Sequence, residues 1–233
     1  MQLPFFFEAE LNTSQAVFTL SEETSKHCIQ VLRMYKGEQL YLTNGKGILA
    51  KAMVQEPHKK NTVVTIEDIQ TFAAPAKKIS VGISLLKNSS RLEWFLEKAT
   101  EVGVTDIIPL VCKRTERQHF RLERMNAILI AAMLQSEQTW LPVLHEPINF
   151  DKAINLNYHH TKLIAHCYPG TKPSITGFNH EPSVRIFIGP EGDFTEEEIA
   201  EALAHHFQPV HLGNHRLRTE TAGITAAILL NQF

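Results

Sequence analysis

From Ala73 onwards the sequence alternates short apolar runs, rich in β-branched residues, with longer amphipathic segments of helical period. This alternation is typical of α/β domains, in which helices connect the strands of a parallel sheet. Ser90 and Glu93 match a capping box at the start of the first helix, and Gly103 suits the position after its end. We therefore predict an α/β domain over residues 73–233, with strands in KKISVGISLL, VTDIIPLVC, TKLIAHCY, SVRIFIGPEG and PVHLG.

Residues 1–72 have a different pattern, with short β-rich runs separated by turn residues. They predict a small β domain that contains one helix, over residues 22–34, and a hairpin turn at the Asn-Gly pair of residues 44–45. Residues 45–50 also match the G-x-G-x-x-A pattern of dinucleotide-binding folds. We reject that interpretation because the motif must open a helix, whereas the sequence continues as strand-like AKAMVQEP.

The composition of the 233 residues argues against several classes of protein. No window approaches the ~18 apolar residues of a membrane span, and MQLPFFFEAE lacks a basic region and a cleavage site, so we expect a cytoplasmic protein without a membrane segment. Three scattered cysteines without a C-x-x-C motif indicate a reducing compartment. The adjacent histidine pairs at 159–160 and 205–206 lack ligand spacing, and we expect no metal site.

The formal net charge of −2 argues against a globally basic nucleic-acid binder, but the cations are clustered. KRTERQHFRLER, residues 113–124, contains five Lys or Arg residues against two Glu, and smaller groups lie within residues 77–91 and 215–218. Such clusters are most often solvated faces, although several on one chain also suit a surface that follows phosphates. The sequence alone leaves both interpretations open.

The stretch FIGPEGDFTEEEIAEAL, residues 187–203, passes from a strand through two glycines and a proline into an acidic helix. A phosphate site is not expected there, because Thr195 and Glu198 match a capping box that occupies the free N–H groups, and three consecutive glutamates repel anions. A tight connection without a ligand is an equally open interpretation. A second glycine turn, at Gly213, also follows a strand. Since ligands of open α/β sheets bind beyond the carboxyl ends of strands, the two turns together predict one pocket.

Four ordered motifs extend this interpretation along nearly the whole chain. They are HCIQVLRM at 27–34, RLEWFLEKATEVGVTDIIPL at 91–110 with an arginine soon after, IGPEG at 188–192, and LRTETA at 217–222. In these motifs the sequence resembles the RsmE family of 16S rRNA uracil-N3 methyltransferases, which belong to the SPOUT class of S-adenosylmethionine enzymes. The resemblance implies an N-terminal PUA-like RNA-binding β-barrel and a C-terminal domain whose chain forms a trefoil knot around the cofactor.

The resemblance also implies that S-adenosylmethionine lies among three loops. Small residues there let the backbone approach the cofactor, and we expect positive φ at Gly189 and Gly213. Leu212 and Leu217 are implied to flank the adenine, with ordinary core positions as the alternative. The implied cofactor-binding residues are Ala165, His166, Ile188, Gly189, Pro190, Glu191, Gly192, Leu212, Gly213, Leu217, Thr221 and Ala222.

Methylation at N3 of uracil needs assistance because the imide is protonated at neutral pH. A cation beside a uracil oxygen, or a general base, provides that assistance. Arg218 is our first candidate for the cation and Arg114 is the second. Glu220 is either a base or a cap of the last helix.

The expected partner is 16S rRNA, within the small ribosomal subunit, and we expect a homodimer that uses the apolar C-terminal helix. Two alternatives remain open: a SPOUT-like ribose 2′-O-methyltransferase, and a non-catalytic RNA-binding ribosome assembly factor. The sequence departs from the family pattern at five positions, which affects RNA contacts and dimer packing: Leu134, Gln138, Asn214, His215 and Arg216. The predicted RNA-binding residues are His27, Arg33, Lys87, Arg91 and Arg117.

Overall fold

The structure is a computed structural model that describes residues 3–116, 120–156 and 161–231. The chain divides into two compact units. The first comprises Met1–Ala74 together with Met133–Leu141, and the second comprises Pro75–Ala132 together with Pro142–Phe233. The return of residues 133–141 to the first unit was not foreseen from the sequence.

The first unit is built on a five-stranded sheet of order β1-β3-β4-β5-β2. β1 pairs with β3 in parallel, and the other neighbours are antiparallel. Alternate residues of these strands face one apolar core, as the period of two predicts. The predicted β domain is confirmed, with strands β1 (Phe5–Phe7), β2 (Val17–Thr19), β3 (Gln39–Thr43), β4 (Ile48–Glu56) and β5 (Val63–Thr71).

The hairpin between β3 and β4 confirms both predictions made for it. The side chain of Asn44 accepts hydrogen bonds from the N–H groups of Lys46, at 2.8 Å, and Ile48, at 3.2 Å. Gly45 and Gly47 adopt φ of 67° and 90°, which favours glycine. Because Ile48 begins a strand rather than a helix, the dinucleotide-binding interpretation was rightly rejected.

The helix of the first unit is shorter than predicted. Helix α1 spans Glu22–Lys26 and widens into a π-turn over His27–Val31. Arg33 then adopts φ of 56°, and the N–H of Met34 donates to the Cys28 carbonyl at 2.9 Å. The predicted end at residue 34 was therefore wrong, because a left-handed residue stops the helix.

The second unit contains a parallel sheet, which confirms the α/β prediction. Its order is β12-β10-β11-β6-β7-β8, and β9 also pairs with β7. Strand β10 thus lies between β11 and β12, although it precedes both in the chain. The strands are β6 (Lys78–Ser84), β7 (Asp106–Val111), β8 (Val143–Leu144), β9 (Ile148–Asn149), β10 (Thr161–Ala165), β11 (Ser183–Ile188) and β12 (Gln208–Val210).

The helices that follow α1 have apolar faces at helical spacing. Apolar residues of α4, α5, β10 and β11 form one core cluster of the second unit. A 3₁₀ turn over Ile175–Phe178 precedes β11. The helices are α2 (Ser89–Glu101), α3 (Leu122–Gln135), α4 (Phe150–Ala153), α5 (Glu196–Ala204) and α6 (Thr219–Asn231).

The ends of α2 confirm one prediction and correct another. The N-cap is Asn88, whose side chain accepts from the N–H of Ser90 at 2.9 Å, so the predicted capping box of Ser90 and Glu93 was wrong. Glu93 instead accepts two hydrogen bonds from the Arg124 guanidinium, at 2.8 and 2.9 Å. Gly103 follows the helix with φ of 80°, as predicted.

Helices α5 and α6 frame the region where the glycine turns lie. The capping box of Thr195 and Glu198 at the start of α5 is confirmed. Helix α6 packs closely on its neighbours, because a Cβ at Gly223 would lie 2.6 Å from the ring of Phe95. As predicted, α6 is buried along one face, which includes Gly223, Ala226 and Leu230. Ile228, in contrast, is 40% exposed.

Candidate active site

Three neighbouring strands of the second unit end at the same level. Ala165 of β10 is the register partner of both Ile188 of β11 and Val210 of β12. Because the strands are parallel, the loops that follow them leave the same edge of the sheet. These loops enclose a cavity of about 760 Å³, a size typical of small-molecule sites.

The cavity brings together most of the residues implied to bind the cofactor. Gly192 and Thr221 do not line it. Sequence reasoning did not single out several other lining residues, although each lies shortly after a strand end or beside a predicted residue. The predicted lining residues are Ala165, His166, Ile188, Gly189, Pro190, Glu191, Leu212, Gly213, Leu217 and Ala222, and the added ones include Cys167, Tyr168, Lys172, Asp193, His211 and Thr219.

The two glycine turns are constrained in different ways. Gly213 has φ of 141°, and a Cβ there would meet nothing within 4 Å. Gly189 does not have the expected positive φ; a Cβ there would lie 3.0 Å from the Phe194 ring and 3.1 Å from the Phe194 nitrogen. The carbonyl of Gly189 accepts a hydrogen bond from the Thr219 hydroxyl at 2.9 Å, which ties this turn to the start of α6. Gly189 is therefore needed for close packing rather than for a left-handed backbone.

The loop after β10 is held by side chains of its own and of the next loop. Lys172 donates from Nζ to the carbonyls of His166, at 2.8 Å, and Tyr168, at 2.6 Å. The N–H of Cys167 donates to the carboxylate of Asp193 at 2.8 Å. Burial and the nearby Lys172 cation lower the pKa of His166, while Asp193 opposes that shift. The cavity wall is therefore tied together before any ligand binds.

Arg218 lies at the cavity with its side chain exposed. Within the described ranges the structure gives its guanidinium no hydrogen bond and no ion pair. Two carboxylates of the neighbouring loops have other contacts: Glu220 lies 3.7 Å from Arg91, and Glu191 accepts from the N–H of Lys87 at 3.3 Å. The Arg218 guanidinium is consequently available to a bound molecule.

Glu220 occupies a different position. Its side chain is buried in the first turn of α6 and does not line the cavity. Its Oε1 atom lies 3.7 Å from Nε of Arg91, whereas Oε2 is buried without a hydrogen-bond partner among the described residues. The carboxylate is thus held behind the cavity wall.

Arg114 supports the loop that contains Gly192. Its Nη1 atom donates to the carbonyls of Gly192, at 2.7 Å, and Phe194, at 3.3 Å, and its Nη2 atom lies 3.4 Å from the Tyr168 hydroxyl. Arg114 does not line the cavity. Its position fits a residue that orients the loops.

The predicted RNA-binding residues are distributed over both units. In the second unit Lys87 forms an exposed ion pair with Glu116 at 2.7 Å, and Arg91 pairs with Glu220. In the first unit His27 and Arg33 are exposed, and the His27 ring contacts Phe6 edge-on. Arg117 lies outside the described residues.

In the part of the chain that the structure describes, no group of three His, Cys, Asp or Glu side chains is arranged to hold a metal ion. No helix in that part is long and apolar enough to cross a membrane.

Comparison with known proteins identifies the family. The model of an RNA methyltransferase domain matches residues 73–231, and that of an RNA methyltransferase PUA domain matches residues 20–67. The ribosomal RNA small subunit methyltransferase E of Synechocystis sp. is 29% identical over 93% of this chain and 73% of its own length. This chain belongs to the RsmE family of RNA methyltransferases. It is an S-adenosylmethionine-dependent RNA methyltransferase with an N-terminal PUA-like domain.

Two solved structures of similar proteins have the same fold. A probable rRNA-methyltransferase from Porphyromonas gingivalis is 34% identical, with a TM-score of 0.89 over 97% of this chain and 95% of that one. The ribosomal RNA small subunit methyltransferase E of Neisseria gonorrhoeae, bound to S-adenosyl methionine, is 29% identical, with a TM-score of 0.86 over 97% and 95% of the two chains.

The residues around the cavity fit the cofactor of the RsmE family. Glu191 and Asp193 place carboxylates at the cavity, where they attract a sulfonium cation that lies beside them. The capping box already occupies N–H groups at the start of α5. In the described part of the chain, Nδ1 of His211 is buried without a hydrogen-bond partner, so a ligand donor or acceptor can pair with it.

Proposed function

We propose that this protein transfers a methyl group from S-adenosylmethionine to N3 of one uridine of 16S rRNA within the small ribosomal subunit. The observation that supports it most is the cavity at the ends of β10, β11 and β12, at whose wall the Arg218 guanidinium has no partner among the described residues. The names of relatives specify ribosomal RNA of the small subunit.

Within this proposal the three loops hold the cofactor by backbone groups and small side chains. Leu212 and Leu217 flank the adenine, and the carboxylates of Glu191 and Asp193 favour the sulfonium. S-adenosylmethionine, when bound, supplies a methyl group activated for in-line displacement. The protein then contributes orientation and electrostatics.

Arg218 is the proposed catalytic residue. Loss of the N3 proton to solvent leaves negative charge on the uracil oxygens until N3 takes the methyl group, and a positioned guanidinium stabilises that charge as it develops. Arg218 does not serve as a base, because a guanidinium stays protonated at any working pH. The absence of a partner for its guanidinium within the described ranges supports this role.

Arg114 and Glu220 have supporting roles in the proposal. Arg114 orients the turn at Gly192 through two carbonyl contacts. Glu220, buried beside Arg91, orients the first turn of α6 and therefore Arg218. A direct role of Glu220 as base requires the buried Oε2 atom to face the uracil when RNA binds.

The proposal also includes the arrangement of the chain. Residues 1–72 bind RNA and residues 73–233 bind the cofactor, and the latter form the trefoil knot. The placement of β10 between β11 and β12, with α6 following the glycine turn at Gly213, supports such a path.

Exposed Trp94 on α2 and Ile228 on α6 support a homodimer that uses these helices. Since the substrate is ribosomal RNA, we propose that the protein acts in the cytoplasm.

Three measurements test the proposal. Calorimetry with S-adenosylmethionine distinguishes an enzyme from an RNA-binding assembly factor, since only the enzyme is expected to bind the cofactor. Transfer of labelled methyl to unmethylated small subunits, followed by nucleoside digestion, is expected to give 3-methyluridine. A 2′-O-methylated nucleoside in its place would overturn the N3 assignment. Light scattering that shows a monomer at micromolar concentration would contradict the dimer.

A further inference from the structure

The surface of the first unit carries a group of exposed apolar side chains next to the π-turn. Val31 is 66% exposed, Leu32 is 43% exposed and Tyr35 is 67% exposed. All three belong to or directly follow the HCIQVLRM motif. Apolar side chains of this size, exposed within five positions, are typical of an interaction site.

The backbone under these side chains is held firmly. The N–H of Leu32 donates to the His27 carbonyl at 3.0 Å, and that of Met34 donates to the Cys28 carbonyl at 2.9 Å. Met34 is buried, so it anchors the turn in the core. The N–H of Tyr35 donates to the Glu38 carboxylate at 2.9 Å. The exposed side chains are therefore presented on a rigid support.

Arginine is uncommon in the backbone conformation that Arg33 adopts. Its φ of 56° places it in the left-handed region, where a residue that ends a helix is usually glycine. An arginine in this conformation stores strain that glycine avoids, and such strain is concentrated at functional sites. Since the Arg33 side chain is exposed and makes no contact that the structure records within the described residues, the fold does not account for it.

The charge of this segment identifies the class of partner. Residues 26–37 contain the cations Lys26, Arg33 and Lys36 and no acidic residue. In the described part of the chain none of the three cations forms an ion pair. Cations close in sequence to an exposed aromatic ring suit single-stranded nucleic acid, because phosphates bind the cations and unpaired bases stack on the ring.

We propose that the exposed residues of this segment, which we call the π-turn surface, bind an unpaired stretch of ribosomal RNA, with Tyr35 stacking on a base. The π-turn surface comprises Lys26, Val31, Leu32, Arg33, Tyr35 and Lys36. Two other partners account for less of this surface. A duplex that the protein contacts only through its phosphates does not account for the exposed aromatic ring. An apolar protein partner does not account for the cations, which have no ion pair among the described residues. The proposal rests on the proposed function and adds to it the strandedness of the RNA and the stacking residue.

The test compares variants of the whole protein for binding to protein-free 16S rRNA and to small ribosomal subunits over a range of salt concentrations. Tyr35→Ala is expected to weaken binding about 5- to 150-fold, without changing the salt dependence. Tyr35→Phe keeps the ring and is expected to bind as the wild type. Phe72→Ala, which removes another exposed aromatic ring of the same unit, is the matched control and is expected to have no effect.

Arg33→Gly tests the cation without damaging the fold. Glycine is favoured at this φ, so the variant is expected to melt at or above the wild-type temperature. Its RNA affinity is expected to fall, and the slope of log K against log salt to decrease by about 0.7, the value for one phosphate of a single strand. A folded Arg33→Gly variant with unchanged affinity and slope would overturn the role of Arg33.

Further outcomes bear on the proposal. Wild-type affinity in Tyr35→Ala, or equal losses in Tyr35→Ala and Phe72→Ala, would overturn it. A Tyr35→Ala loss seen only with subunits would assign the π-turn surface to a ribosomal protein and would overturn it too. S-adenosylmethionine affinity is expected to be unchanged in every variant. If the wild type binds RNA through Tyr35 but makes no 3-methyluridine, the proposed function fails while this inference stands.

Discussion

Replacing Arg218 with alanine is expected to separate catalysis from stability. The Arg218 side chain is exposed and, within the described residues, has no partner to lose, so we expect the free energy of unfolding to change by less than about 0.5 kcal/mol. Cofactor affinity is expected to stay near the wild-type value. The methylation rate is expected to fall about a hundredfold, or about 3 kcal/mol, as for removal of one positioned donor from a developing oxyanion.

The assay is single-turnover methylation of unmethylated small subunits at saturating RNA and S-adenosylmethionine, with a melting curve for each variant. Arg218→Lys keeps the charge but loses the planar fork, and is expected to retain only part of the rate. Arg216→Ala removes the same charge from the same loop and serves as the control for general electrostatics. It is expected to lower the rate far less than Arg218→Ala.

Three results would refute this reasoning. A folded Arg218→Ala variant that binds both ligands and methylates at the wild-type rate would remove Arg218 from catalysis and leave Arg114 as the next residue to test. A joint loss of thermal stability and cofactor affinity would instead assign Arg218 a structural role. Equal losses in the Arg218 and Arg216 variants would indicate loop charge rather than a positioned donor.

Three other predictions concern the second unit. Gly189→Val is expected to abolish S-adenosylmethionine binding, because a Cβ would lie 3.0 Å from the Phe194 ring and the branched side chain would displace the turn that lines the cavity; unchanged affinity by calorimetry would exclude this turn from the cofactor site. Gly82→Ala is expected to destabilise the protein by about 1–3 kcal/mol in denaturant titrations, because its Cβ would lie 2.4 Å from the Phe187 ring. The lowered pKa of His166 means that the unfolded chain binds its proton more readily, so stability falls as the pH drops below about 6.5. His166→Asn is expected to flatten that part of the profile, and an unchanged profile would show that other groups cause it.

The order of strands and helices was predictable because local patterns determine it. Alternation of β-branched runs with amphipathic segments predicted the parallel sheet, and the capping box of Thr195 and Glu198 fixed the start of α5. Both glycine turns followed predicted strands, so a shared pocket at the strand ends also followed from the sequence. The register of Ala165 with Ile188 and Val210 explains physically why the loops converge.

The features that were missed depend on partners distant in sequence. Glu93 matches a capping box, but Arg124 from α3 binds its carboxylate, and Asn88 caps α2 instead. Arg114 belongs to a basic cluster in the sequence, yet its guanidinium binds backbone carbonyls about eighty residues away. The early stop of α1 depends on a left-handed Arg33, which no propensity predicts. A single sequence does not specify such contacts.

The most direct test of the proposed function is a nucleoside digest of 16S rRNA from a strain that lacks the gene. Mass spectrometry is expected to show the loss of 3-methyluridine from one position. The purified protein with S-adenosylmethionine is expected to restore it in small subunits from that strain. If the amount of 3-methyluridine is unchanged in that strain, the assignment of this protein as a uracil-N3 methyltransferase is contradicted. This holds whether a 2′-O-methylated nucleoside is lost instead or every nucleoside stays unchanged.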